Sequence, residues 1–66
     1  MNVEKLLRRY ANGERDFAEV DLSNANLKKS KLIDINLAKA NLTDAYLSGS
    51  ELMNANLISA ELMNAN

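Results

Sequence analysis

The chain has 66 residues and a net charge of −1, which allows one small domain with a thin hydrophobic core. Cysteine and histidine are absent, which excludes disulfides, thiolate metal sites and the commonest general base. No stretch approaches the roughly 18 apolar residues of a membrane helix, and no basic region followed by an apolar run opens the chain. We therefore expect no signal peptide or membrane span, and a cytoplasmic location.

The first predicted element is a short amphipathic helix over residues 2–12. Its apolar side chains recur at helical spacing, as Val3, Leu6, Leu7, Tyr10 and Ala11. Asn2 suits the N-cap, and Gly13 suits the left-handed position after the last turn. A helix of this length is marginal alone. We predict that it caps the structure that follows; a partner-binding amphipathic helix is the alternative.

After the helix, leucine returns at every fifth position, with phenylalanine at the first. The series is Phe17, Leu22, Leu27, Leu32, Leu37, Leu42, Leu47, Leu52, Leu57 and Leu62. A period of five forms no apolar face on an α-helix, and it sends successive residues to opposite faces of a flat strand. Both difficulties vanish if the chain turns a corner once per repeat. Every leucine then points at a common axis, and the repeat predicts a coil.

A second, mostly small residue lies two positions before each leucine and points to the same side. This position is occupied by Val20, Ala25, Ser30, Ile35, Ala40, Ala45, Ser50, Ala55, Ala60 and Ala65. The residue between the small residue and the leucine is polar nearly every time, so we expect it to face outward. Pairs of one large and one small residue fill a narrow interior without overpacking it.

Units such as Ala-Asn-Leu-Thr-Asp at 40–44 and Ala-Asn-Leu-Ile-Ser at 55–59 resemble the A(D/N)Lxx unit of the pentapeptide-repeat proteins. The resemblance covers residues 15–66. It implies an all-β fold, a right-handed quadrilateral β-helix with four pentapeptides per 20-residue coil and about 2.6 coils. We therefore predict a capping helix and turn at residues 1–14 and a pentapeptide-repeat β-helix at residues 15–66.

Stacking at a spacing of 20 residues places charged side chains of opposite sign together. Lys31 would lie over Glu51, and Glu19 over Lys39. We predict two exposed ion pairs, each worth at most about 1 kcal/mol. A spacing of 15 or 25 would place Lys31 over an uncharged residue instead, so these pairs favour four units per coil.

The outward residues become apolar near the end of the series. Met53, Ile58 and Met63 each follow a leucine, with Ile33 one coil away from Met53. An exposed apolar cluster usually marks an interface, and methionine suits an adaptable one. We predict an interface formed by Met53, Leu57, Ile58, Leu62 and Met63. The alternative is scattered surface apolar residues without a role.

The repeat series ends at Ala65-Asn66, in mid-unit. An uncapped coil exposes unpaired N–H and C=O groups and its last apolar layer. Two expectations stay open: the coil stacks end to end with a second copy, or the chain is a fragment of a longer array. The resemblance favours the first, because related pentapeptide-repeat proteins dimerise through their C-terminal coils.

We predict no enzyme, no cofactor, no metal site and no small-molecule substrate, because nothing activates the available hydroxyls and the carboxylates are spread over an outward surface. Lys28, Lys29, Lys31 and Lys39 form a small basic spot. The net charge and the lack of nearby aromatic residues argue against a nucleic-acid footprint. The predicted function is a scaffold or protein-interaction module, with itself or another protein as partner.

The resemblance also supplies an alternative function. Some family members resemble duplex DNA and bind DNA gyrase, and they are long, strongly acidic rods. Residues 40–66 carry Asp44, Glu51 and Glu61 and no positive charge. A DNA-mimic inhibitor of a nucleic-acid enzyme is therefore the second hypothesis.

Overall fold

The computed structural model describes residues 1–66, and its one regular element is helix α1, Val3–Ala11. The side chain of Asn2 accepts a hydrogen bond from the N–H of Lys5 at 2.7 Å, as expected of an N-cap. At the other end Gly13 has a φ of +99°. The N–H groups of Gly13 and Glu14 donate to the carbonyls of Tyr10 and Arg9, which is a Schellman motif. Both predicted ends of the helix are confirmed.

Helix α1 packs against the repeats through one row of side chains. Leu6 is fully buried in the same cluster as Phe17, and Val3 and Tyr10 are partly buried against it. Leu7 and Ala11 are exposed, so the prediction that they belong to the packed stripe is wrong. The reason is geometric: side chains fan out by about 100° per residue, and a helix lying on a narrow end buries only one edge of its stripe.

The repeats form coils of 20 residues that stack on one another. Single parallel β-bridges join residues of successive coils: Asp16 to Asn36, Asp21 to Asn41, Asn26 to Tyr46, Lys31 to Glu51, Asn36 to Asn56 and Asn41 to Glu61. This confirms the spacing of 20 residues, and hence four pentapeptides per coil. The whole chain measures 29 × 21 × 21 Å.

The prediction of an all-β fold, a right-handed quadrilateral β-helix, is wrong. Each bridge is an isolated residue, and the chain contains no strand of successive paired residues and no sheet. The physical reason lies in the repeat itself, because two residues of every five lie in a turn. Pairing stops at each turn before a second adjacent residue can join it. The architecture is a short helix followed by stacked turns that are linked by single bridges.

The core is a column of leucines that is well covered at the helix end and open at the other. The fully buried apolar residues are Leu6, Phe17, Leu22, Leu27, Leu32, Ile35, Leu37, Ala40, Leu42 and Ala45. Ile35, although large for the small position, is accommodated there. Burial then declines, with Leu47, Leu52 and Leu57 half-buried and Leu62 exposed. The inward direction of the leucines is confirmed, and the last layer has nothing stacked on it.

The predicted ion pairs between coils do not form. Lys31 and Glu51 are joined through their backbones, but the only ion pair in the chain links Arg9 to Glu14 at 2.9 Å. Long exposed side chains lose more entropy on pairing than the screened attraction returns. The spacing of 20 therefore depends on the backbone and the leucine layers.

No helix in the chain has the length and apolar character needed to cross a membrane.

Candidate interaction site at the last coil

Every repeat turns in the same way after its leucine. The third residue of each turn has a positive φ, and the residue after it donates its N–H to the leucine carbonyl in all but one repeat at 3.2 Å or less. This is the pattern of a type II turn. The positive-φ residues are Glu19, Asn24, Lys29, Asp34, Lys39, Asp44, Gly49, Asn54, Ser59 and Asn64. The turn directs the residue after the leucine outward, which places Met53, Ile58 and Met63 on the surface.

In six of the ten repeats, the polar residue before the leucine closes the same turn with its side chain. An Asp or Asn oxygen accepts the N–H two residues later, an Asx turn, in the pairs Asp16–Ala18, Asp21–Ser23, Asn26–Lys28, Asn36–Ala38, Asn41–Thr43 and Asn56–Ile58. The repeat pattern predicted only that this position faces outward. The signal for the Asx turn was an Asn or Asp two residues before a backbone N–H that the turn leaves without a backbone acceptor.

Asp21 accepts two hydrogen bonds in its turn, where the other Asx residues accept one from theirs. The N–H and hydroxyl of Ser23 both donate to its Oδ1, at 3.0 and 2.8 Å. The backbone bond first, and the hydroxyl bond second, lower the pKa of Asp21 below its ordinary value of 3.8. A depressed pKa means that this contribution to stability is present above about pH 3.8 and is lost as the pH falls through the lower, folded-state pKa.

Hydrogen bonds between coils have a direction. In the repeats that have a coil after them, the leucine and the positive-φ residue donate their N–H groups forward to that coil, as Leu37 does to Asn56 at 2.8 Å and Lys39 to Ile58 at 2.9 Å. The residue before the leucine donates backward, as Asn56 does to Ile35 at 2.9 Å. Two donors therefore point toward the end of the stack for each one that points toward its beginning.

Within residues 1–66, no coil stacks on residues 47–66 (the last coil), and these groups have no partner there. Its forward N–H groups without an acceptor are those of Gly49, Leu52, Asn54, Leu57, Ser59, Leu62 and Asn64. Its free forward carbonyls are those of Ser50, Ala55, Ala60 and Ala65. This end of the molecule is an unpaired backbone edge that is richer in donors than in acceptors.

The same coil carries most of the exposed large apolar side chains of the molecule. Met53 is 68% exposed, Ile58 70%, Met63 72% and Leu62 43%. Leu57, the fifth predicted interface residue, is half-buried in the last leucine layer. Ile33, which the sequence places beside Met53, is half-buried one coil earlier. The structure thus gathers the five predicted residues into one coil, around an open end.

The opposite end, at the first coil (residues 16–35), is covered by α1. The hydroxyl of Tyr10 donates to the carbonyl of Ile33 at 2.8 Å, and the Met1 ammonium donates to the carbonyl of Asp21 at 2.7 Å. The Cζ atom of Arg15 lies 3.7 Å from the centre of the Tyr10 ring, and the Arg15 guanidinium donates a hydrogen bond to the Tyr10 carbonyl. Its side chain leaves the core, as expected of a cation at the rim. The two ends of the stack therefore differ in cover and in polarity.

The structure holds no group of three or more acidic side chains that could bind a metal ion together. A family model described as "Pentapeptide repeats (8 copies)" matches residues 16–52 and again residues 30–66. The chain belongs to the pentapeptide-repeat family. A comparison with curated proteins found no match. Membership explains the five-residue period of leucine, turn and Asx contact, and it leaves the biological role of this pentapeptide-repeat chain to be proposed.

Proposed function

We propose that this pentapeptide-repeat chain is a non-enzymatic scaffold that binds a second copy of itself, end to end, through its last coil. The observation that carries the proposal is the concentration of exposed apolar side chains there, at Met53, Ile58, Leu62 and Met63. Burying an exposed side chain of this size contributes about 1.5–3 kcal/mol. They lie on three successive repeats of one coil, so a partner that covers the end of this coil could contact all of them.

The backbone edge of the last coil supports a second copy as the partner. Along this edge, free carbonyls and free leucine N–H groups alternate, as at Ser50, Leu52, Ala55 and Leu57. An alternating edge is self-complementary: a copy related by a twofold axis can place its carbonyls against these N–H groups. The two apolar layers then cover each other, and the extra donors of the turns stay at the rim, in water.

The test is the mass of the chain in solution across concentration, by light scattering or sedimentation. We expect two copies at micromolar concentration for the wild-type chain. We expect single copies for the double variant Ile58→Ser, Met63→Ser, because each lost apolar contact weakens association by about tenfold or more. The variant should remain folded, since both side chains are exposed.

Leu7→Ser is the matched control, because Leu7 is also an exposed large apolar residue but lies on α1 at the other end. It should associate like the wild-type chain. A wild-type chain that stays folded and monomeric at micromolar concentration contradicts the proposal. Equal weakening by Leu7→Ser would show that the last coil is not the interface.

The second hypothesis, mimicry of duplex DNA, makes a different prediction. It depends on the exposed acidic residues Asp44, Glu51 and Glu61, and it requires inhibition of a nucleic-acid enzyme. A DNA gyrase supercoiling assay separates the two: inhibition that survives Ile58→Ser, Met63→Ser would favour mimicry over self-association. A cytoplasmic location likewise stays a prediction.

A further inference from the structure

We propose that α1 limits assembly of this chain, because it occupies a second docking face, on the first coil, that fits the last coil of another copy. With α1 in place, only last coils can meet, and assembly ends at two copies. With α1 displaced, the last coil of one copy stacks on the first coil of the next in preference to another last coil, because the carbonyls of the first coil also accept from the turn N–H groups that a pair of last coils leaves in water. This inference rests on the proposed role of the last coil in self-association.

The two end faces have opposite hydrogen-bonding character. No coil precedes the first coil in the stack. Its backward-facing carbonyls therefore accept no hydrogen bond, except the two to which Tyr10 and Met1 donate. These are the carbonyls of Asp16, Ala18, Ser23, Asn26, Lys28 and Lys31. The last coil presents the matching forward N–H groups. The pairing that holds successive coils together would therefore continue across the contact between two copies.

Two hydrogen-bond donors, one on α1 and one just before it, occupy positions that N–H groups of a preceding coil would occupy. Tyr10 and the Met1 ammonium donate to the carbonyls of Ile33 and Asp21. One coil later, the equivalent carbonyls of Met53 and Asn41 accept from backbone N–H groups of the preceding coil, at 2.9 and 2.8 Å. Met1 and Tyr10 thus bind two carbonyls that would accept hydrogen bonds from a stacked coil.

The apolar contact of α1 also occupies a place that another copy's last coil could take. Leu6 is fully buried in one cluster with Phe17, the first member of the leucine column. A leucine of another copy's last coil would cover this column in the same way. Only a nine-residue helix provides the cover, and helices this short are marginal without their tertiary contacts.

Stacking of unlike faces does not close on itself, so it produces filaments rather than pairs. The test is Leu6→Asp, which places a charge in the α1 contact, with Leu7→Asp as the matched control on the exposed side of the same helix. We expect Leu6→Asp to form species larger than two copies whose length grows with concentration. Leu7→Asp should match the wild-type chain.

Wild-type chain added to the Leu6→Asp filaments tests their polarity. A wild-type copy can add its last coil to the free first coil of a filament, but its α1 then blocks further growth. We therefore expect substoichiometric wild-type chain to shorten the filaments. Filaments unaffected by it would reflect nonspecific aggregation and would contradict the inference.

A Leu6→Asp chain whose repeat amides exchange hydrogen as slowly as those of the wild-type chain, but which assembles no further than the wild-type chain, also overturns the inference. If Leu6→Asp unfolds the repeats, the milder double variant Leu6→Ala, Tyr10→Phe decides by the same two readouts. Failure of the proposed function looks different: there the wild-type chain itself is monomeric.

Discussion

At the scale of single residues, two surface positions shape the turn of the repeat. The residue two after the leucine adopts a positive φ in all ten repeats, and an Asn or Asp before the leucine accepts a backbone N–H in six of them. Asn, Asp and Gly tolerate that conformation, whereas Lys and Glu are strained in it by about 1 kcal/mol or more. Asn41 and Lys39 represent the two positions.

Asn41→Ala removes the side-chain acceptor of the Thr43 N–H, which Asn41 Oδ1 binds at 3.0 Å. We expect the free energy of unfolding to fall by about 1 kcal/mol. Lys31→Ala is the matched control, since Lys31 has the same place in its repeat but accepts no hydrogen bond. Chemical denaturation measures both variants. Equal losses at the two positions would contradict the role of the Asx turn.

Lys39→Gly relieves the strain of a lysine at a φ of +61°. Its gain is partly offset by the greater freedom of glycine in the unfolded chain, so we expect a net stabilisation of up to about 1 kcal/mol. Ala38→Gly, at the neighbouring position without a positive φ, should lose about 0.5–1 kcal/mol. Thermal unfolding compares the two variants, and a loss of the same size for Lys39→Gly would show that no strain is present there.

At the scale of elements, α1 is the one segment whose ends, length and position follow from local signals. Its N-cap and its Schellman motif are set by Asn2 and Gly13. Its orientation is set by Leu6 and Tyr10, which reach the core and a carbonyl of the first coil. The local signals determine where the helix begins and ends, and the tertiary contacts determine which edge of it is buried.

Gly13→Ala tests the C-terminal end of α1. A Cβ at Gly13 meets no atom within 4 Å, so the whole cost comes from the φ of +99°. We expect a loss of about 1 kcal/mol. Gly49→Ala is the informative comparison, because its Cβ would also lie 3.2 Å from Cγ of Lys29. Thermal unfolding should rank Gly49→Ala as the more damaging of the two unless the lysine side chain moves aside.

At the scale of the whole molecule, single β-bridges and the buried leucine layers together stabilise the stacking of the coils. No strand or sheet provides an independent unit, so each coil depends on its neighbours, as in other stacked-repeat proteins. The column of Leu22, Leu42 and Leu62 shows the consequence, since burial is complete for the first two and partial for the third. We therefore expect the last coil to be the least stable part of the stack.

Leu42→Asp and Leu62→Asp place the same change at two levels of that column. At Leu42 a carboxylate would be buried in a core one leucine wide, and we expect the chain to unfold. At Leu62, which is 43% exposed, the carboxylate reaches water. That variant should retain its fold while losing self-association. Circular dichroism during heating and light scattering measure both properties, and a folded Leu42→Asp chain would contradict the inward direction of the leucines.

Much of the architecture follows from the sequence because the five-residue period is local chemistry repeated ten times. The leucine column and the helix ends could be predicted from the residues themselves, whereas the spacing of 20 residues was implied by the family resemblance. The interface predicted at Met53, Leu57, Ile58, Leu62 and Met63 stays a prediction. The predicted β-helix was wrong, since nothing in the period reveals that pairing would stop at one residue per repeat.

The sequence by itself thus determined which side chains point inward and where the helix lies, because both depend on neighbours within a few residues. Only the tertiary structure decided three other properties. These are the single-residue bridges in place of strands, the unequal polarity of the two ends, and the exclusion of Leu7 from the packed face of α1. The physical reason is that hydrogen bonds between coils join residues about 20 positions apart, whose relative position is set only when the coils stack.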